Sequence, residues 1–447
     1  VGRSNYLDDF SAQSLWVPGL PPHAQLNIGA LAGLFTARST SYKYLFFLSL
    51  LDSIARAKTT QLPTTQATTQ APQPPTTLSG PTPAYEPSRG AKADVPAWSA
   101  HASAQKDQPT ALGDEGIDPT ALGSTPLKLL SIPLKTVIIN LLQFGWYPHR
   151  FFRLSYGPTD QVGKALDELD FAIDEQAITH PQTRDSLRAA IEAQFTRIRA
   201  QRFTRFVPYR LLTPFFSQEL RGQPDHRKND LIVQLARQSF ATDNAPFYCF
   251  NEANDSLIIH PHWQAYFQRH YAIVRGWALL QWARYLQANN PSVPAILFKL
   301  EPPTQRSSLL PQRRYWQSVL DVAPLPCIYS GQPIDPSNFS LDHFLPWSFI
   351  CHDQRWNLIP TTPEANSSKG RHLPDQNSLS DFIAHQYHGL EIYEQLHRGQ
   401  RQWRNVANEY GEGLALAESE LLDKEKLATA YHQKLNPLFS LAKNMGY

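Results

Sequence analysis

Cysteine is scarce: Cys249, Cys327 and Cys351 are the only three in 447 residues, they are far apart, and no two of them form a Cys-x-x-Cys pair. That excludes a disulfide framework and a four-cysteine zinc site, and it makes a reducing, cytoplasmic compartment the expectation. Long apolar runs are also missing. The most apolar stretch, Tyr42 to Ile54, is shorter than a membrane span and is interrupted by Lys43, Ser49 and Asp52. The N-terminal residues lack the pattern of a signal peptide, so a soluble protein without membrane contact is expected. Nor is there an excess of charge. With 41 Lys and Arg against 39 Asp and Glu the formal charge is +2, so nucleic-acid binding cannot rest on a global basic field and needs a local cluster.

What is present reads as a globular chain, with 42% hydrophobic and 11% aromatic residues and length enough for two or three cores. The runs Asn27 to Phe35 and Tyr44 to Leu51 predict two short buried helices. Residues 57–124 change to Thr, Gln, Pro, Ala and Gly, as in Thr64-Thr65-Gln66-Ala67-Thr68-Thr69-Gln70. Such a composition buries too little surface to offset chain entropy and predicts a disordered insertion. An apolar helical face resumes over Leu129 to Leu142, with Gly145 and Pro148 as its stop signals. Residues 1–56 and 125–308 are therefore read as one mainly α-helical domain with a single core.

Within that domain, helices are expected over Asp160 to Ile173 and Pro181 to Phe203. The second runs into a basic stretch interleaved with aromatics, where Arg199, Arg202 and Arg205 recur every three residues and Arg210 follows. On a helix that spacing lines up guanidinium groups to meet successive phosphates, which makes these four the candidate nucleic-acid contacts. The same residues also read as a solvated helix face with its aromatics turned inward. A small hairpin is expected from Phe247 to His260, and His260 and His262 read as structural because no acid or cysteine stands at ligand spacing. A long aromatic-rich helix is expected from Trp263 to Gln287.

The densest chemistry comes late. Leu341-Asp342-His343-Phe344-Leu345-Pro346 places an acid beside a histidine, Trp356-Asn357-Leu358-Ile359-Pro360 is a second apolar run, and Asn366 and Lys369 sit in a helix-like segment three residues apart. The order is strand, loop, strand, helix, over residues 320–375. This pattern resembles the HNH endonucleases of the ββα-metal class, with a spacing similar to that of the HNH domain of RNA-guided CRISPR effectors. The whole chain resembles stand-alone bacterial HNH proteins of the kind found in anti-phage defence. The resulting fold expectation is α+β: a mainly α-helical N-terminal domain, a ββα-metal module, and C-terminal helices over 376–447.

The resemblance implies a role for each of these residues. Asp342 and Asn366 offer hard oxygen donors for one Mg²⁺ or Mn²⁺. His343 is the general base, Asn357 orients it, and Lys369 neutralises charge on the phosphate. Neighbouring strand residues point to opposite faces, so Asp342 and His343 can share one phosphate only where the strand bends or ends. Cys327 is followed by Ser330 rather than a second cysteine, so no structural zinc is expected. DNA is the expected partner, RNA remains open, and a protein partner would bind through the helical domain or the C-terminal helices. A nuclease-derived subunit that binds without cutting, or a nuclease active only with a partner, is the alternative. Limited proteolysis is expected to cut first within residues 58–124; early cuts elsewhere would overturn the reading of that segment.

Overall fold

The computed structural model describes residues 19–36, 40–60, 129–173, 177–303 and 307–447, and the insertion expected over 57–124 lies outside the described residues beyond position 60. The described chain is α+β: mainly helical, with one three-stranded antiparallel sheet and one separate strand pair.

The first core is built around the helix Ser41–Thr60, which buries Leu45, Phe46, Phe47, Leu48, Leu50, Leu51 and Ile54. A helix apolar on nearly every face has to be central, and this one packs between the helices Leu134–Trp146 and Tyr271–Asn289. The hydroxyls of Ser49 and Ser53 are satisfied locally, Ser49 donating to the Leu45 carbonyl and Ser53 to that of Ser49, both at 2.7 Å. Beside it lies a sheet of β1 (Ser131–Pro133), β2 (Tyr248–Phe250) and β3 (Ser256–Ile259), in spatial order β1-β3-β2. The hairpin expected between residues 247 and 260 is β2 paired with β3, with Cys249 opposite Ile258.

Three local expectations are revised. The apolar face from Leu129 is not all helix: β1 comes first, because Pro133 holds the chain extended before the helix starts at Leu134. Gly145 does not stop that helix. It lies inside it, where a Cβ would be 3.3 Å from Leu45 and Val162, so the glycine permits close packing. The helix expected over Pro181 to Phe203 ends at Ala193, and the chain continues through turns and a 3₁₀ segment at Ala200–Thr204.

That last revision bears on the arginines. Arg199 adopts the left-handed region at φ 52°, so Arg199, Arg202 and Arg205 do not share an α-helical face. Arg202 reaches back to the Ile198 carbonyl, Arg205 lies over the Phe206 ring, and Arg210 bonds Asp225 and Asn229, each at 3.0 Å. Arg199 and Arg205 are exposed.

The second core runs from Tyr315 to Tyr447 and joins the ββα region to the helices Ser378–His397, Arg401–Leu414 and Lys424–Asn444. A two-stranded ribbon with one short helix cannot bury a core of its own, and the C-terminal helices supply the missing wall. Trp356, 1% exposed, sits so close under Gly413 that a Cβ there would lie 2.3 Å from the indole. The acidic residues ahead of the last helix build turns and caps. Glu418 accepts from the Trp403 indole, Glu420 pairs with Lys426, and Asp423 caps the helix Lys424–Asn444.

The two cores meet at Lys299 and Tyr447. Lys299 is 0% exposed and its ammonium donates to the carbonyls of Pro294 and Phe349, while the Tyr447 hydroxyl lies 3.1 Å from the carbonyls of Phe152 and Ser348. Burial pushes Lys299 down to about 8. Above that pH the folded chain releases a proton that the unfolded chain still holds up to its ordinary value near 10.4, so stability rises with pH across this window. Denaturation of wild type and Lys299→Met at pH 7, 8.5 and 10 is expected to show wild type gaining up to about 3 kcal/mol on the variant. A difference that does not change with pH would show that the ammonium is not desolvated.

Candidate active site

β4 (Ser340–His343) pairs antiparallel with β5 (Leu358–Thr361), setting Asp342 opposite Ile359 and His343 opposite Leu358. After β5 the Thr362 side chain accepts from the Ala365 N–H at 3.3 Å, Pro363 occupies the first turn, and the helix Pro363–Lys369 begins. Gly370, at φ +51°, ends it. The acid and the histidine are the last two residues of β4. The chain then turns through Phe344–Pro346 into the short helix Trp347–Ile350, and both residues are buried, Asp342 4% and His343 9% exposed.

Asn357 maintains that turn. It is 0% exposed, its Oδ1 accepts from the Leu345 N–H and its Nδ2 donates to the Leu345 carbonyl, both at 2.9 Å, while its own carbonyl accepts from Phe344 at 2.8 Å. One amide side chain thus satisfies both main-chain polar groups of a buried residue. Asn357 in turn is held by its neighbours. The Leu358 carbonyl accepts from Trp316 and Gln386, and the Trp356 carbonyl accepts from Tyr431 at 3.1 Å.

The Asp342 carboxylate is fully engaged. Tyr329 donates to Oδ2 at 2.6 Å, and the Lys369 ammonium lies 3.1 Å from Oδ1 and 3.0 Å from Oδ2. The same ammonium donates to the His343 carbonyl at 2.9 Å. Burial, and then the Asp342 charge and hydrogen bond, push the Tyr329 phenol far up, so it remains a donor. Asn366 stands one turn before Lys369, half-buried, and its side-chain amide makes no hydrogen bond among the described residues. Beyond Lys369 opens a cleft of about 760 Å³ lined by Tyr329, Gln332, Glu364, Lys369, His372 and Asp375. His372 is exposed at its rim.

The His343 imidazole turns the other way. Its Nε2 lies 2.9 Å from Oδ1 of Asp353, in the loop that follows the short helix. This acid is absent from the sequence reading. Ten residues separate it from His343, and the only sequence signal is an acid in the loop between the histidine and Asn357. Neighbouring His352 is pushed down to about 4 by burial and by His343, so it is neutral at physiological pH.

The structure thus brings Asp342, His343, Asn357, Asn366 and Lys369 into one ββα module, and leaves Arg199, Arg202, Arg205 and Arg210 in the first core. Where a second Cys-x-x-Cys cysteine would stand, the turn after Cys327 is closed by backbone bonds from Cys327 to Gln332 at 2.7 Å and from Gly331 to Cys327 at 2.8 Å. Replacing Asn357 by Ala would strand the Leu345 N–H and carbonyl in the interior. Chemical denaturation is expected to show a loss of roughly 2–4 kcal/mol, and an unchanged midpoint would show that the clamp does not form.

No curated protein and no solved structure matches this chain. Residues 327–375, which hold all of Tyr329, Asp342, His343, Asp353, Asn357, Asn366 and Lys369, match the family model described as HNH endonuclease. Residues 327–375 are thus an HNH endonuclease domain, which this chain carries between its helical first core and its C-terminal helices.

Proposed function

We propose that the chain is a metal-dependent endonuclease that hydrolyses phosphodiester bonds in DNA, with His343 as general base. The observation that carries this reading is the end of β4, where the Asp342 carboxylate meets Lys369 and the neighbouring His343 imidazole meets Asp353, both inside the region that matches the HNH endonuclease model. In the reaction His343 removes a proton from water, the resulting hydroxide attacks phosphorus, and the bond to the leaving sugar oxygen breaks. Lys369 is the nearest cation to the entering phosphate, and Asn357 acts by holding the turn that presents His343.

Among the described residues no three His, Cys, Asp or Glu side chains gather as a metal cage. The donors that fit a hard cation are the Asp342 carboxylate and the otherwise unengaged Asn366 amide. An ion there would keep several waters and accept a phosphate oxygen, as Mg²⁺ and Mn²⁺ do. When bound it would supply charge stabilisation to the phosphate and the leaving oxygen. The Lys369 ammonium already neutralises Asp342, which favours a second reading, a nuclease held at rest until substrate or a partner protein draws Lys369 away. Action in the cytoplasm and a part in anti-phage defence belong to the same proposal and rest on the resemblance to stand-alone HNH proteins. The exposed Arg199 and Arg205 remain candidate contacts for flanking phosphates, now as separate surface charges.

One such site cuts one strand, so supercoiled plasmid incubated with Mg²⁺ or Mn²⁺ is expected to yield nicked circles. EDTA is expected to abolish the product, and His343→Ala to lower the rate at least about 100-fold. Intact plasmid, linear duplex, single-stranded DNA and RNA under both metals would end the stand-alone reading in favour of the partner-dependent one.

A further inference from the structure

We propose that Asp353 is the positioning residue of this site, holding His343 in the tautomer that carries its proton on Nε2 and leaves the Nδ1 lone pair free to act on water. The catalytic consequence rests on the nuclease reading above; the tautomer does not. A carboxylate can only accept, so the imidazole nitrogen 2.9 Å from Asp353 Oδ1 must be the one bearing hydrogen. The pair is shielded enough for that bond to persist, the His343 side chain being 10% exposed and that of Asp353 19%.

The backbone is built to bring the two together. The short helix Trp347–Ile350 ends at Cys351 in the left-handed conformation, φ 59°, which turns the chain back toward β4. The returning loop is then pinned. Gln312 donates to the Asp353 carbonyl at 2.9 Å, the Gln354 N–H donates to Nδ1 of His352 at 3.3 Å, and the Asn357 N–H donates to the Gln354 carbonyl at 3.1 Å. Other groups that might orient the imidazole are committed elsewhere. The Asn357 side chain is spent on the Leu345 peptide, and Lys369 and Tyr329 on Asp342. Among the described residues Asp353 is the one side chain that hydrogen-bonds the His343 ring. An imidazole without it would populate both tautomers and rotate about its side-chain bonds, and a base presented in the wrong tautomer is lost to catalysis even where the fold is intact.

The test uses the full chain labelled with ¹⁵N-histidine, free of metal and substrate at pH 8. Two-bond proton–nitrogen NMR correlations separate the protonated from the bare ring nitrogen, and the His343 signal is assigned by its loss in His343→Gln. Wild type is expected to show a single tautomer protonated on Nε2, and Asp353→Asn, whose amide can itself donate to that nitrogen, a mixture or the inverted form. In the plasmid assay Asp353→Asn is expected to lower kcat about 100-fold or more with KM within about twofold, and Asp353→Glu to recover part of it. Thermal melting of each variant separates this from unfolding, which would remove active protein without altering the tautomer of the remainder. A mixed or Nδ1-protonated His343 in wild type, or a tautomer unchanged in Asp353→Asn, overturns the proposal. Controlled tautomers in a protein that cuts nothing would uphold Asp353 and end the stand-alone nuclease reading instead.

Discussion

The buried bond pair between the Asn357 side chain and the Leu345 peptide is the constraint on which the site depends. β4 ends at His343, and the chain leaves it through Phe344–Pro346. Leaving a strand inside a packed core exposes main-chain groups with no partner. Asn357 supplies an acceptor for the Leu345 N–H and a donor for its carbonyl. The polar residue in an otherwise apolar run is thus what allows β4 to stop at His343.

Around this turn the polar groups divide into two sets with opposite orientation. Asp342 faces Lys369 and Tyr329 and the cleft beyond them, so its charge is balanced before any ligand arrives. His343 faces Asp353, on the side of the returning loop. A buried carboxylate without a cation would be costly, and Lys369 offsets that cost.

The module does not stand by itself. Its aromatic residues Phe344, Phe349 and Trp356 share a core with Phe382, Tyr410 and Tyr431 from the C-terminal helices, and Lys299 bonds the Phe349 carbonyl from the first core. The short helix Trp347–Ile350, which sets the course of the Asp353 loop, is therefore fixed from both sides. This couples the helical part of the chain to the Asp353 loop through packing and one buried ammonium.

The sequence by itself determined the residue types of the site and the order strand, loop, strand, helix, because Asp342, His343, Asn357, Asn366 and Lys369 lie within 28 consecutive positions and local spacing carries that information. It also determined the mainly helical character of the first core, since periodic apolar runs such as Tyr44 to Leu51 have no other way to bury themselves. It could not place Asp353 on His343, or Asn357 on Leu345 rather than on His343, because those pairings depend on how a loop returns and not on spacing along the chain. It misplaced the arginines for a related reason: their three-residue period assumed a helix that ends at Ala193. Whether the C-terminal helices were a surface or a wall was likewise decided only by the tertiary structure, since a ββα ribbon too small to bury Trp356 takes its covering from whichever helices the rest of the chain can bring against it.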